Sequence, residues 1–243
     1  MDNNKVSAAD AAKKTASVTG RPGGTAAGAG APEHDPAARP RSAKLINAPY
    51  ISQKGAYPTG CESVSTVMLL QYLGFSIDIK TFIDRWLPKG DFETIDGELY
   101  APDPNEMFVG DPYRDDAMGC YAPVMERVLQ KILGDGYEVK NETGSGIDAL
   151  CKKYVDRDMP VLLWITINLR PFIEGPSWRL TGSGKPFTWR SNEHCLLLVG
   201  YDDEHFYFND PWENRGVVAV EKALARKRHA EQYEMAVGVR KLG

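Results

Sequence analysis

The chain has 243 residues, 42% hydrophobic and 26% charged, with a formal net charge of −4, the balance of an ordinary globular domain of some size. Beyond Lys44 the excess of acidic residues is larger still, which argues against nucleic acid as a partner because phosphate binding draws on clustered Lys and Arg. No apolar run is long enough for a membrane span or a signal-peptide core.

Residues 1 to 43 are mainly Ala, Gly, Pro, Thr and Lys with scarcely a large apolar side chain, so they cannot bury enough surface to order themselves. They read as a low-complexity tether ahead of one domain over residues 44–243. The same composition fits a linker left after removal of an upstream anchor.

Tyr57-Pro-Thr-Gly-Cys61 opens the first helix: Pro58, Thr59 and Gly60 read as a turn and an N-cap, and Val64, Val67, Met68 and Tyr72 recur at helical spacing until Gly74. Cys61 therefore falls in the first turn, where free backbone N–H groups and the helix dipole are expected to stabilise thiolate. The alternative is a cysteine that serves as a small buried hydrophobe. Ile79, Phe82, Ile83 and Trp86 predict a second helix, capped near Asp78 and stopped by Pro88.

A long aperiodic segment from Lys89 to Gly119 follows. Its Phe92, Tyr100, Met107, Phe108 and Tyr113 favour a packed wall. Val124, Val128, Leu129 and Ile132 predict a third helix ending at Gly134, and Ile147, Leu150, Cys151 and Tyr154 a fourth. Strands are then expected at about residues 161–167, 194–201, 206–208, 217–220 and 235–239. Pro171 to Arg190, with Trp178 and Trp189, is the second candidate lining of a cleft. Lys222 with Arg226 to Arg228 reads as the solvated face of a short helix. Helices first and hairpin-linked strands later predict an α+β architecture with the active site at the seam.

Asn192-Glu-His194 to Asn209-Asp210-Pro211 reads as a β-hairpin carrying a histidine and an aspartate. With a three-residue loop at Asp202 to Glu204, His194 falls opposite Trp212 and Asp210 lies one diagonal step away on the same face. With a two-residue turn the pairing shifts to Pro211 and Asp210 moves to the other face, unless a bulge restores the register. A core histidine and a plain Asn-Asp-Pro turn are the alternative readings. Cys195 faces away from His194 into the core, and His205 lies in the hairpin. The four cysteines and four histidines have no close metal-ligand spacing, so neither a metal nor a cofactor is expected. Cys120 and Cys151 are free to pair in an exported protein.

These segments resemble the C39-like group of papain-type cysteine peptidases. Asn47-Ala-Pro-Tyr-Ile-Ser-Gln53, Tyr57-Pro-Thr-Gly-Cys-Glu62, Pro102-Asp-Pro-Asn-Glu106, Val109-Gly-Asp-Pro112, Gly119-Cys-Tyr-Ala-Pro123 and Asn192-Glu-His194 carry the likeness in that order, over roughly residues 46–241. The resemblance implies a papain-like fold, with N-terminal helices packed on an antiparallel sheet. It implies Cys61 as nucleophile, His194 as general base and acid, Asp210 as orienter of the imidazole and Gln53 as an oxyanion donor. The implied partner is a peptide or protein substrate, and the resemblance leans towards a secreted or cell-surface setting. Glu62 departs from the transporter-linked C39 domains, which usually have glycine after the nucleophile.

Amide hydrolysis needs an activated nucleophile, a proton donor for the leaving amine and donors aimed at the oxyanion. Cys61, His194 and Gln53 match those roles, with Asp210 as the supporting carboxylate. Two alternatives stay open: a thiol acyltransferase or transpeptidase using the same residues, and a peptide-binding or cell-surface module with a vestigial site.

Overall fold

The computed structural model describes residues 44–243, and the tether expected over residues 1–43 lies outside that range. Strand β1 (Lys44–Leu45) leads into helix α1 (Cys61–Tyr72). Ten consecutive residues of α1, Cys61 to Leu70, are buried. It is thus the central helix of the domain, walled on every side, where the periodicity alone predicts one apolar face. Two of its three buried hydroxyls find partners: Ser65 Oγ donates to the Cys195 carbonyl at 3.1 Å and Thr66 Oγ1 contacts Met125 Sδ at 3.3 Å, while Ser63 Oγ has none.

Helix α2 (Ile79–Arg85) begins as expected at Asp78, whose carboxylate accepts the Thr81 N–H at 2.6 Å. The segment after it holds four short strands, β2 (Lys89–Gly90), β3 (Glu93–Ile95), β4 (Glu98–Ala101) and β5 (Phe108–Val109). Phe108 is buried, but Met107 and Tyr113 are exposed, so the expected wall is packed only in part. Helix α3 (Ala122–Leu133) stops at Gly134, at φ 62°. Strand β6 (Tyr137–Asn141) and helix α4 (Ile147–Lys153) follow.

The remaining elements are β7 (Val161–Thr166), β8 (Ile173–Leu180), β9 (Pro186–Ser191), β10 (Glu193–Tyr201), β11 (His205–Asp210), β12 (Gly216–Glu221), helix α5 (Lys222–Glu231) and β13 (Ala236–Lys241). The main sheet runs β12-β11-β10-β7-β13-β6, with β1 also on β10, and every pairing in it is antiparallel. Its centre is dry, since β7 is buried throughout and β10 from Glu193 to Gly200. A second sheet of order β3-β4-β8-β9 flanks the first. Helices packed on an antiparallel sheet make the domain α+β, as the sequence predicts.

Several readings change. Pro171 to Arg190 is the β8-β9 hairpin, and Trp178 and Trp189 are 3% exposed, so they fill the core where a cleft lining is the expectation. Tyr121 stacks on Trp189 at 5.0 Å between centroids. The Lys222 helix is α5, but Arg228 is buried, donating to the Leu169 carbonyl at 2.7 Å and pairing with Glu231. All four cysteines are buried and free, so Cys120 and Cys151 are not paired. Among the described residues no helix is long and apolar enough to cross a membrane.

Candidate active site

The strand half of the site depends on register. Tyr201 pairs with Phe206 and Gly200 with Tyr207, but beyond an irregularity between Leu198 and Gly200 the pairs are Leu198 with Phe208 and Leu197 with Asn209. The turn is held by Asp202, whose Oδ1 accepts the N–H groups of Glu204 and His205 at 2.7 and 2.6 Å. A bulge at Val199 therefore restores the register that carries His194 to the level of Trp212. The two rings lie 6.2 Å apart, edge to face, and His194 Nε2 meets Asp210 Oδ1 at 2.8 Å.

Both residues of that pair are buried, at 2% and 4% exposure. Asp210 also accepts the Trp212 N–H at 2.9 Å and faces Arg215 Nη1 at 3.4 Å. Burial by itself raises a carboxyl, yet the His194 charge and hydrogen bond, the Trp212 N–H and Arg215 together hold Asp210 below its usual value. The other ring nitrogen, His194 Nδ1, is buried without a hydrogen-bond partner.

The helix half begins with Gln53, whose backbone N–H donates to the Pro211 carbonyl at 3.0 Å and ties its loop to the Asp210 turn. Gln53 Nε2 donates to the Pro58 carbonyl at 3.2 Å, while its Oε1 is buried and unpartnered. The turn into α1 is tight: a Cβ at Gly60 would stand 2.8 Å from Tyr57 Cβ. Thr59 contributes no cap, its hydroxyl donating instead to the Arg114 carbonyl at 2.9 Å. Beside this loop lies an open depression of about 560 Å³ lined by Pro58, Tyr113, Arg114, Asp115 and Asp116 among others.

Cys61 Sγ accepts the Cys195 N–H at 3.4 Å and lies 3.2 Å from Glu62 Oε2, to which its S–H donates. The sulfur thus borders the peptide that follows His194 and makes no hydrogen bond to the imidazole. Burial pushes the thiol well above its ordinary value, and the carboxylates of Glu62 and Glu193 push it further. This overturns the expectation of a thiol lowered by the helix N-terminus, because desolvation and two acids outweigh the dipole.

Glu62 and Glu193 are residues to which sequence reasoning assigns no role, Glu62 entering it only as a departure from the transporter-linked domains. Glu62 is fully buried, its Oε1 accepting the Cys120 N–H at 2.7 Å, and burial drives its carboxyl up to about 7. Glu193 is raised by burial and by the charge of Glu62. The Cys61 sulfur and one oxygen of each carboxylate lie within 4.8 Å of one another. Their signal in the sequence is adjacency: one acid directly follows Cys61 and the other directly precedes His194.

The family described as "Peptidase_C39 like family" matches residues 45–240. A curated relative, the uncharacterized protein YvpB of Bacillus subtilis, is 28% identical over 155 residues, which is 63% of this chain and 58% of that protein. The chain thus matches little more than half the length of that relative. A solved structure from Bacillus anthracis, described as a candidate C39-like peptidase, is 28% identical with a TM-score of 0.71 and covers 82% of this chain and 98% of that one. A double glycine motif protease from a transporter, solved with its leader peptide, is 14% identical with a TM-score of 0.47 over 82% of this chain and 94% of that one.

Proposed function

The chain belongs to the Peptidase_C39 like family, and from that premise we propose that it is a cysteine peptidase that hydrolyses amide bonds in peptides. Cys61 is the nucleophile, His194 the general base and acid, Asp210 the orienter and Gln53 a donor to the oxyanion. The observation that carries this reading is the buried bond between His194 and Asp210. It occupies Nε2 and leaves Nδ1 unpartnered, on the residue just before the N–H that meets Cys61 Sγ.

Attack begins when the Cys61 proton passes to His194 Nδ1, the nitrogen free to receive it, and the sulfur adds to the substrate carbonyl. Asp210, kept ionised by its own partners, stabilises the imidazolium and holds the tautomer. Negative charge on the carbonyl oxygen is met by the Cys61 N–H and by the second N–H of Gln53 Nε2, the first being held by Pro58. The imidazolium gives its proton to the leaving amine as the C–N bond breaks, leaving a thioester on Cys61. Water, deprotonated by His194, then releases the carboxylic acid and restores the thiol.

Incubating the protein with a peptide library and reading products by mass spectrometry tests this. New carboxyl termini are expected with the natural chain and none with Cys61→Ala. Absence of cleavage, or equal cleavage by the variant, refutes it, and amide-linked adducts with an added amine would assign an acyltransferase instead.

A further inference from the structure

One buried acid touches the nucleophile and a second lies within 4.8 Å of it, and the hydrolytic steps above use neither of them. Glu62 Oε2 lies against Cys61 Sγ and Oε1 against the Cys120 N–H, so both oxygens are engaged. Glu193 Oε1 is buried with no partner. A Cβ at Gly119 would stand 2.5 Å from Glu62 Oε1 and 3.0 Å from Glu193 Oε2, so the glycine's missing side chain is what lets the two carboxylates converge. The surroundings offer them little compensation. Cys61, Cys120, Cys195 and Tyr121 are neutral groups that burial pushes up and the acids push further, and the Trp164 indole opposes only part of the rise at Glu193. Against burial Glu62 has the Cys120 N–H, its own N–H, the Cys61 thiol and, last, His194. Two full negative charges this close in a dry site are unfavourable, and one proton between them removes most of the cost.

We propose that Glu62 and Glu193 share a single proton and act together as positioning residues for the nucleophile, Glu62 holding the S–H of Cys61 in a resting orientation. The inference deepens the reading of Cys61 as nucleophile and rests on it. The resting site then holds a neutral thiol, and activation consists of moving the S–H from Glu62 Oε2 to His194 Nδ1, with no change in the number of protons. Loss of the shared proton in alkali leaves two charges beside the sulfur and opposes thiolate formation further.

The rate of iodoacetamide labelling of Cys61 against pH tests the pair without any turnover, so its outcome is independent of whether a peptide is cleaved. Glu62→Gln keeps the acceptor for the Cys120 N–H but removes the charge at Sγ, and at pH 7 it should label about tenfold faster or more, the thiolate gained from one pKa unit. Glu193→Gln leaves Glu62 as the lone charge, so it should stay within about twofold of the natural chain at pH 7 and label faster only in alkali. Equal acceleration by both at pH 7, or none by either, overturns the proposal. Infrared spectra at pH 6, where exposed carboxylates are ionised, decide it even if Glu62→Gln folds poorly. A protonated-carboxyl band worth one group is expected in the natural chain, shifted but not lost in Glu193→Gln, where burial still keeps a proton on Glu62, and no band, or a band worth two groups, in the natural chain overturns the shared proton.

Discussion

The two halves of the candidate site differ in how their polar groups are satisfied. On the strand half, Asp210 has three partners, His194, the Trp212 N–H and Arg215, and is held ionised. On the helix half, Cys61, Glu62 and Glu193 are buried together and every one of them is pushed towards its neutral form. A charge is kept buried only where hydrogen bonds and an opposite charge meet it. The contrast teaches that the strand half is built to carry charge and the helix half to withhold it.

The largest expected effect breaks the link between the halves. His194→Ala removes the base assigned to the thiol, and turnover on a cleaved peptide should fall on the order of 1,000-fold or more. Gln53→Ala comes next, with a loss of roughly 100-fold in kcat and little change in KM, because the donor matters as charge develops on the oxygen. A fall in KM-dependent rate alone would instead make Gln53 a substrate contact. Its backbone bond to Pro211 survives the change, so the Asp210 turn should stay in place.

Asp210→Asn is smaller in turnover and sharper for the comparison. It keeps an oxygen for the Trp212 N–H and removes the charge opposite the imidazole, so a loss of about tenfold is expected, whereas Asp210→Ala strips buried donors of their acceptor and costs about 1 to 3 kcal/mol of stability as well. Because the Asp210 carboxyl is lowered by folding, its contribution is present above the ordinary carboxylate range and fades as pH falls through the folded value. Urea unfolding of both variants at neutral pH separates charge from hydrogen bonding. An Asp210→Asn protein as destabilised as Asp210→Ala would show that charge, and not the oxygen, holds the turn.

The strand half was legible because a hairpin is local. His194, Asp210 and the turn at Asp202 lie within one short stretch, and period two with one bulge fixes which side chains meet. The sequence left two registers open; the turn takes neither, pairing Tyr201 with Phe206, and the bulge between Leu198 and Gly200 brings the strands back to the one that sets His194 level with Trp212. The helix half was legible in its position and not in its charge. That Cys61 opens a helix follows from Gly60 and the apolar spacing after it, but the burial of its whole neighbourhood comes from Cys120, Trp164 and Glu193, which arrive from distant strands and loops. Trp178 and Trp189 were misplaced for the same reason, since aromatic residues between Gly and Pro look alike whether they wall a cleft or fill a core.

The pH dependence of stability is the mildest probe of the contrast, and its sign is diagnostic. Folding raises Glu62 from 4.5 to about 7, so the native state binds a proton that the unfolded chain has released, and stability from this group is full below about pH 4.5 and lost as pH rises towards 7. His229 has the opposite sign. It is buried between the Trp164 and Ser145 carbonyls, 2.8 and 3.2 Å away, and burial lowers it from 6.5. Its contribution is therefore present above pH 6.5 and lost as pH falls below that value. Between pH 5 and 6.5 the two slopes oppose each other, each at most about 1.4 kcal/mol per pH unit, and the natural chain should show a nearly flat unfolding free energy. Replacing both acids, Glu62→Gln with Glu193→Gln, removes the falling slope and leaves that of His229, so stability should rise by on the order of 1 kcal/mol across this interval in urea titrations. A double variant as flat as the natural chain would mean that the two acids release their protons at the same pH folded and unfolded, and the helix half would then carry charge just as the strand half does.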